Sequence, residues 1–253
     1  MTIDYSFITP QCQLSPEGVQ PILFEMNAID LFEPHQVQDL LILAKEKYEA
    51  DDFLLPVSSI GLSLFGLLGT QWIIFSQYQR ILNLNLSNII LQIGVFNETS
   101  PYIFLKLKDD TLYELETNQI DYFSDFIQSN IVEPIEVISK VASIKPSIVY
   151  NQFGSRAATL ANAFLQRGYS VEIENNFSTI YNQLKNNLPS NMFNGRKNPF
   201  LFKPIFIENP YEEGKNLMVR SSCCMFYKKK NGVKCYSCPA LSKKAREEMR
   251  KNL

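Results

Sequence analysis

Cysteine and histidine are scarce in this chain, with five of the first and one of the second among 253 residues. Five thiols, an odd number, are too few for a small secreted scaffold stapled by disulfides. The lone histidine, His35, follows Pro34 at the start of an expected helix and reads as a surface residue rather than a ligand. No G-x-x-x-x-G-K-[ST] phosphate loop is present, so ATP chemistry has no local support. No internal repeat and no low-complexity tract breaks the chain. The opening residues MTIDYSFITPQCQLSPEG hold neither the basic region nor the apolar run of a secretory signal. The expectation is a cytoplasmic protein, where clustered thiols more often hold metal than pair with one another. With 45% apolar and 20% charged residues, the composition excludes a disordered or collagen-like chain and suits a substantial core.

Charge is missing from one long stretch. Phe53 to Gln79 carries no charged residue across 27 positions, and about 20 apolar residues suffice to cross a bilayer. Yet Pro56, Ser58, Ser59, Ser63, Thr70, Gln71, Ser76 and Gln77 interrupt it. Asp51 and Asp52 precede the stretch and only Arg80 follows, so no basic cluster flanks it. A helix buried inside the protein is expected, with Trp72 in the core and Gly61, Gly66 and Gly69 permitting close approach of neighbours. Charge is also unevenly spread. From Gly214 to Leu253 eleven basic residues face two acids, a balance of +9, whereas the whole chain carries −2. A basic tail on an acidic body favours encounter with an anionic partner.

Apolar spacing predicts a helix over Pro34–Ala50 and the long one from about Pro56. The period then changes. Ser87–Val95, Tyr102–Lys108 and Thr111–Glu116 are short and rich in β-branched and aromatic residues, with turn signals at Asn97–Pro101 and Asp109-Asp110. They predict a three-stranded antiparallel meander. Helical character returns over Gln119–Val141, over Pro146–Gly168, where Pro146 fits the first turn and Gly168 the end, and over Phe177–Leu188. Ser190–Gly214 reads as loop with an apolar stretch at Phe200–Ile207, and Ser242–Lys251 as a short polar helix. The fold class expected is α+β. Residues 1–213 are expected to form an α+β body, and 214–253 a cysteine-rich segment.

That segment carries the chemistry. Residues 220–239, RSSCCMFYKKKNGVKCYSCP, place Cys223, Cys224, Cys235 and Cys238 in C-C-x10-C-x2-C order. Four thiolates can bind one Zn²⁺ tetrahedrally or a [2Fe–2S] cluster, two per iron. A two-residue gap turns Cys235 and Cys238 toward one point. Neighbouring side chains on an extended chain point to opposite faces, so Cys223 and Cys224 can both ligate only if the backbone bends beside them. Asn231-Gly232 supplies a turn between the two pairs, and Pro239 ends regular structure just after the last thiol. Zinc, iron–sulfur and disulfide readings all remain open on spacing alone. Cys12, set among Pro10, Gln11, Gln13 and Pro16, reads as uninvolved.

The run RSSCCMFY followed by GVKCYSCP resembles the C-terminal signature of the FhuF-like ferric-siderophore reductases. In that family an arginine precedes an adjacent cysteine pair, an aromatic follows, and C-x2-C-P closes the motif. All four cysteines fall on ligand positions, and Arg220, Tyr227 and Pro239 match the flanks. A second basic residue usually follows the arginine, and here Ser221 stands there. A weaker likeness covers Gln152-Phe153-Gly154-Ser155-Arg156, similar to an aromatic-Gly-Asn stretch that opens a helix, with Ser155 in place of asparagine.

The resemblance implies a [2Fe–2S] cofactor on the four cysteines and one-electron reduction of siderophore-bound Fe(III) to Fe(II) in the cytosol. Its implied partners are a ferric siderophore and an electron donor such as a ferredoxin or flavodoxin. Arg220, Lys228, Lys229, Lys230 and Lys234 are candidates for steering a ligand or partner. Peripheral contact with a membrane beside an importer is left open. The competing expectation is a Cys₄ zinc protein whose basic tail meets nucleic acid. The acidic body, the lack of a nucleic-acid-binding fold signature and the adjacent cysteine pair all weigh against it.

Overall fold

The computed structural model describes residues 2–96 and 100–252. The chain begins with α1 (Tyr5–Cys12), β1 (Leu14–Ser15) and β2 (Ile22–Asn27), then α2 (Pro34–Lys47) and the long α3 (Leu54–Tyr78). After β3 (Ile81–Leu82) come β4 (Ile89–Phe96), β5 (Ser100–Leu107) and β6 (Leu112–Tyr113). Four helices follow: α4 (Gln119–Ile127), α5 (Glu133–Val141), α6 (Ser147–Leu165) and α7 (Val171–Asn186). A hairpin of β7 (Ile205–Glu208) and β8 (Asn216–Val219) leads to the cysteine segment and to α8 (Lys243–Lys251). The architecture is α+β.

α3 is the axis of the body. It packs against α1, α6 and α7, and all but five of its 25 residues are buried. It is long and apolar enough to cross a membrane, but 89% of its most apolar window is covered by the protein itself. Two of its buried serines are satisfied by carbonyls of the helix itself. Ser63 and Ser76 donate to the carbonyls of Ile60 and Trp72, each at 2.7 Å. Trp72 stacks on Phe177 with ring centroids 4.1 Å apart, and its Nε1–H donates to the Phe177 carbonyl at 2.9 Å. Gly66 lies where a β-carbon would strike the carbonyl oxygen of Cys12, so this crossing of α1 over α3 admits only glycine.

The main sheet has the order β1-β5-β4-β2. β4 and β5 form the expected hairpin, with Ile89 opposite Leu107 and Leu91 opposite Leu105. Residues 97–99 of its expected turn lie outside the described residues. The third strand departs from the expected meander. β6 leaves this sheet and pairs with β3, Ile81 opposite Tyr113, while β2 takes the other side of β4. Two residues of ladder are too short to hold β6 on β5 once the intervening Asp109 side chain caps a turn onto the Thr111 N–H at 3.1 Å.

The expected helix over 119–141 forms as α4 and α5 joined by a π-helical turn at Gln128–Val132. α6 starts directly after Pro146 and stops ahead of Gly168, which has φ +71°. α7 begins six residues before its expected start because Ser170 caps it, accepting from the Ile173 N–H.

Candidate metal centre

The β7–β8 hairpin delivers the chain to Arg220, whose N–H donates to the Ser237 carbonyl at 3.0 Å. That bond ties the start of the cysteine segment to its end. The bend that two adjacent cysteine ligands demand lies at Met225, whose φ of +61° is left-handed. The segment then turns through Phe226–Lys228 and closes at Gly232, whose N–H donates to the Lys229 carbonyl at 2.8 Å. A β-carbon on Gly232 would lie 2.7 Å from the Tyr227 carbonyl oxygen and 2.8 Å from that of Lys229. Glycine is therefore required at the tip. A second turn, Cys238 N–H to Cys235 carbonyl at 2.9 Å, places the C-x2-C pair on one side.

The body holds this segment through polar contacts. Ser58 of α3 donates to the Cys224 carbonyl at 2.9 Å and accepts from Gln152 of α6 at 2.9 Å. The Ser155 N–H donates to the Ser221 hydroxyl, which in turn donates to the Ser155 hydroxyl, both at 3.0 Å. The two positions that depart from the family pattern are thus bonded to each other. The α2–α3 loop adds backbone bonds from Asp51 to the Lys228 carbonyl and from Lys230 to the Glu49 carbonyl. From the other side α8, capped by Ser242, brings in Arg246. Its guanidinium donates to the carbonyls of Tyr236 and Cys238, each at 3.0 Å.

All four thiols line one cavity of about 310 Å³, together with Arg220, Phe226, Tyr227, Val233 and Lys234. The sulfurs of Cys223 and Cys238 are 3.6 Å apart. Two thiolates on one tetrahedral metal with bonds of ~2.3 Å would sit roughly 3.8 Å apart, so the close pair joins opposite ends of the segment rather than the adjacent cysteines. Among the described residues no three or more histidine, cysteine or acidic side chains gather around a single ion position. Four thiols around one cavity supply the number of donors that a [2Fe–2S] cluster takes, two per iron, or that one tetrahedral zinc takes. Burial pushes the Cys223 thiol up to about 11, and the neighbouring Cys238 and Cys224 thiols push the same way. A cationic centre bound beside Cys223 would favour its thiolate.

Residues 220–239 match the family model described as the FhuF 2Fe-2S C-terminal domain. The match points to a [2Fe–2S] cluster as cofactor and to a redox role, and it is consistent with an FhuF-like family. It spans 20 of the 253 residues. No curated protein matches the chain. The donor set fits the group: Cys223, Cys224, Cys235 and Cys238 would hold it.

The charged residues singled out in the sequence have distinct places. Arg220 and Lys234 line the thiol cavity. Lys228 pairs with Asp52 at 3.1 Å, which holds its ammonium above the usual range, and Lys230 pairs with Glu49 at 3.4 Å. Lys229 lies over the Phe226 ring at 4.4 Å and Lys234 over that of Tyr227 at 5.3 Å. Cys12 does not line the thiol cavity. It is buried against α3, and burial pushes its thiol up to about 12. Sequence reasoning passed over Ser58, whose only signal is a hydroxyl interrupting an apolar helix. It also passed over Arg246, which no motif marks.

Proposed function

We propose that the protein is a ferric-siderophore reductase that converts chelated Fe(III) to Fe(II) and so frees iron inside the cytosol. The observation that carries this reading is the convergence of four thiols on one cavity inside an FhuF-type segment. A [2Fe–2S] cluster held there supplies single electrons at low potential. In this reading residues 1–213 receive the chelate and residues 214–253 hold the redox centre. Siderophores bind through hard oxygen donors that suit Fe(III) far better than Fe(II), so one added electron loosens the chelate. No proton transfer and no covalent bond to the protein is needed. The electron comes from a small reduced carrier of the ferredoxin or flavodoxin class, drawn by the basic segment.

The protein's own residues position the site. Phe226, Tyr227 and Val233 line the thiol cavity, and Phe226 and Val233 are exposed at its mouth. Ser58 and Arg246 anchor the backbone carbonyls next to the ligands from opposite sides. Protein purified without oxygen should be red-brown, and its visible absorption should bleach on reduction. Anaerobic stopped-flow mixing of the reduced protein with a panel of ferric chelates should then restore the colour as Fe(II) appears. Colourless protein holding one zinc, or reduced protein that no ferric chelate reoxidises, would overturn the proposal.

A further inference from the structure

A second and larger cavity, of about 680 Å³, shares a wall with the thiol cavity. Arg220 lines both. Ser222 and Ser237 also face the larger space, and each is the chain neighbour of a cysteine ligand, Cys223 and Cys238. The two cavities thus meet at Arg220 and at two pairs of consecutive residues, Ser222-Cys223 and Ser237-Cys238. The volume falls within the range of small-molecule sites, roughly 300–1,000 Å³, which suits a chelate rather than a protein carrier.

The lining is charged on one side only. Arg156 of α6, Arg220 and Lys215 face the cavity, and among its described lining residues none is acidic. Lys215 at the rim is paired with Glu212 at 2.8 Å. Arg156 and Arg220 are different: among the described residues, neither guanidinium forms an ion pair. Burial disfavours the charged form of Arg156; the nearby Cys12 and Cys224 thiols favour it, and the like charge of Arg220 opposes it. Both guanidiniums line one cavity with no carboxylate among its described lining residues, so an anion bound there would meet unopposed positive charge. Around them Thr159, Asn162 and Gln152 offer neutral polar groups, and Leu62, Phe206 and Met218 offer apolar surface.

We infer that this cavity is the substrate site and that it takes an anionic ferric chelate with free carboxylates, gripped by Arg156 and Arg220. The inference rests on the reductase reading above. A guanidinium presents a planar fork that matches a carboxylate two bonds at a time. A chelate carrying free ammonium groups would find no acid here to pair with. Seated against Ser222 and Ser237, the chelate would lie one residue from the thiols.

The test uses full-length protein purified anaerobically and gallium(III) complexes, which bind like Fe(III) but are not reduced. Calorimetric titration compares a gallium citrate complex, a gallium tricatecholate and a linear gallium trihydroxamate bearing a free ammonium group. The citrate complex should bind best. Arg156→Gln should weaken it by about tenfold to a hundredfold, as loss of a charge-assisted bidentate bond implies, and Arg156→Lys should recover part of the loss. Visible absorption and thermal midpoint report whether each variant remains intact. Should Arg156→Gln fail to fold, Arg220→Gln at the exposed end of the pair provides the same measurement.

Binding of the citrate complex that is absent, or unchanged in the arginine variants, would overturn the inference. So would tighter binding of the tricatecholate or the ammonium-bearing trihydroxamate. Ferric chelates that are reduced without arginine-dependent binding would sink the cavity assignment alone. Arginine-dependent binding with no reduction would instead sink the reductase reading and leave the site.

Discussion

α3 and the cysteine segment, both touching at Ser58, are held in place by opposite means. Twenty of the 25 residues of α3 are buried, whereas from Arg220 to Asn252 only Tyr236 and Cys238 are. α3 is stabilised by apolar surface removed from water and by tight crossings such as that of Gly66 over Cys12. The segment has too little core to fold on that basis. Its shape comes from turns, from carbonyls bonded to Ser58 and Arg246, and from whatever its four thiols bind. A buried apolar frame thus carries a segment built of turns with little core of its own.

The sharpest way to break this contrast is to remove one ligand. Cys224→Ser should abolish the visible absorption or nearly so, and should open the segment to trypsin at Lys228, Lys229 and Lys230. Fluorescence from the sole tryptophan, Trp72, should stay that of buried indole. If the body unfolds together with the segment, the two regions are one cooperative unit and the contrast fails.

The reciprocal change attacks the frame. Leu64 is fully buried in α3, and Leu64→Ala should cost about 2–5 kcal/mol in denaturant unfolding. Absorption per folded molecule should be unaltered. Colour lost in step with mild destabilisation would show that the segment depends on the frame more closely than its contacts indicate.

Smaller effects are expected at the anchors of the segment. Arg246→Ala removes one charged donor group and its two bonds to the carbonyls of Tyr236 and Cys238, for roughly 1.5–3 kcal/mol. It should shorten the survival of the colour under chelator while leaving the unfolding midpoint of the body in place. Ser58→Ala removes the hydroxyl bonded to Cys224 and Gln152, for about 1 kcal/mol. Its effect should be a faster loss of colour, weaker than that of Arg246→Ala. A reversed order would mean that α3, not α8, is the principal anchor.

Much of the secondary structure was legible because it rests on local spacing. Pro146 and Gly168 bracket α6, Ser242 opens α8, and alternation marks β4 and β5. Strand partnership was not legible in this way. β2, at Ile22–Asn27, pairs with β4 more than sixty residues away, and β6 abandons β5 for β3. Nothing within either segment names its partner, since pairing is decided by which apolar faces the whole core can cover.

The same division runs through the candidate site. Composition and order alone determined that four thiols crowd a short basic stretch, that the backbone must bend beside an adjacent pair, and that a charge-free helix belongs to the core. These follow from covalent geometry and from the cost of exposing apolar surface. Only the tertiary structure decided that the sulfurs of Cys223 and Cys238 lie 3.6 Å apart, that Ser155 bonds Ser221, and that Arg156 and Arg220, 64 positions apart along the chain, line one cavity next to the thiols. Such meetings depend on how helices and loops stack in three dimensions, and neighbours along the chain do not encode that stacking.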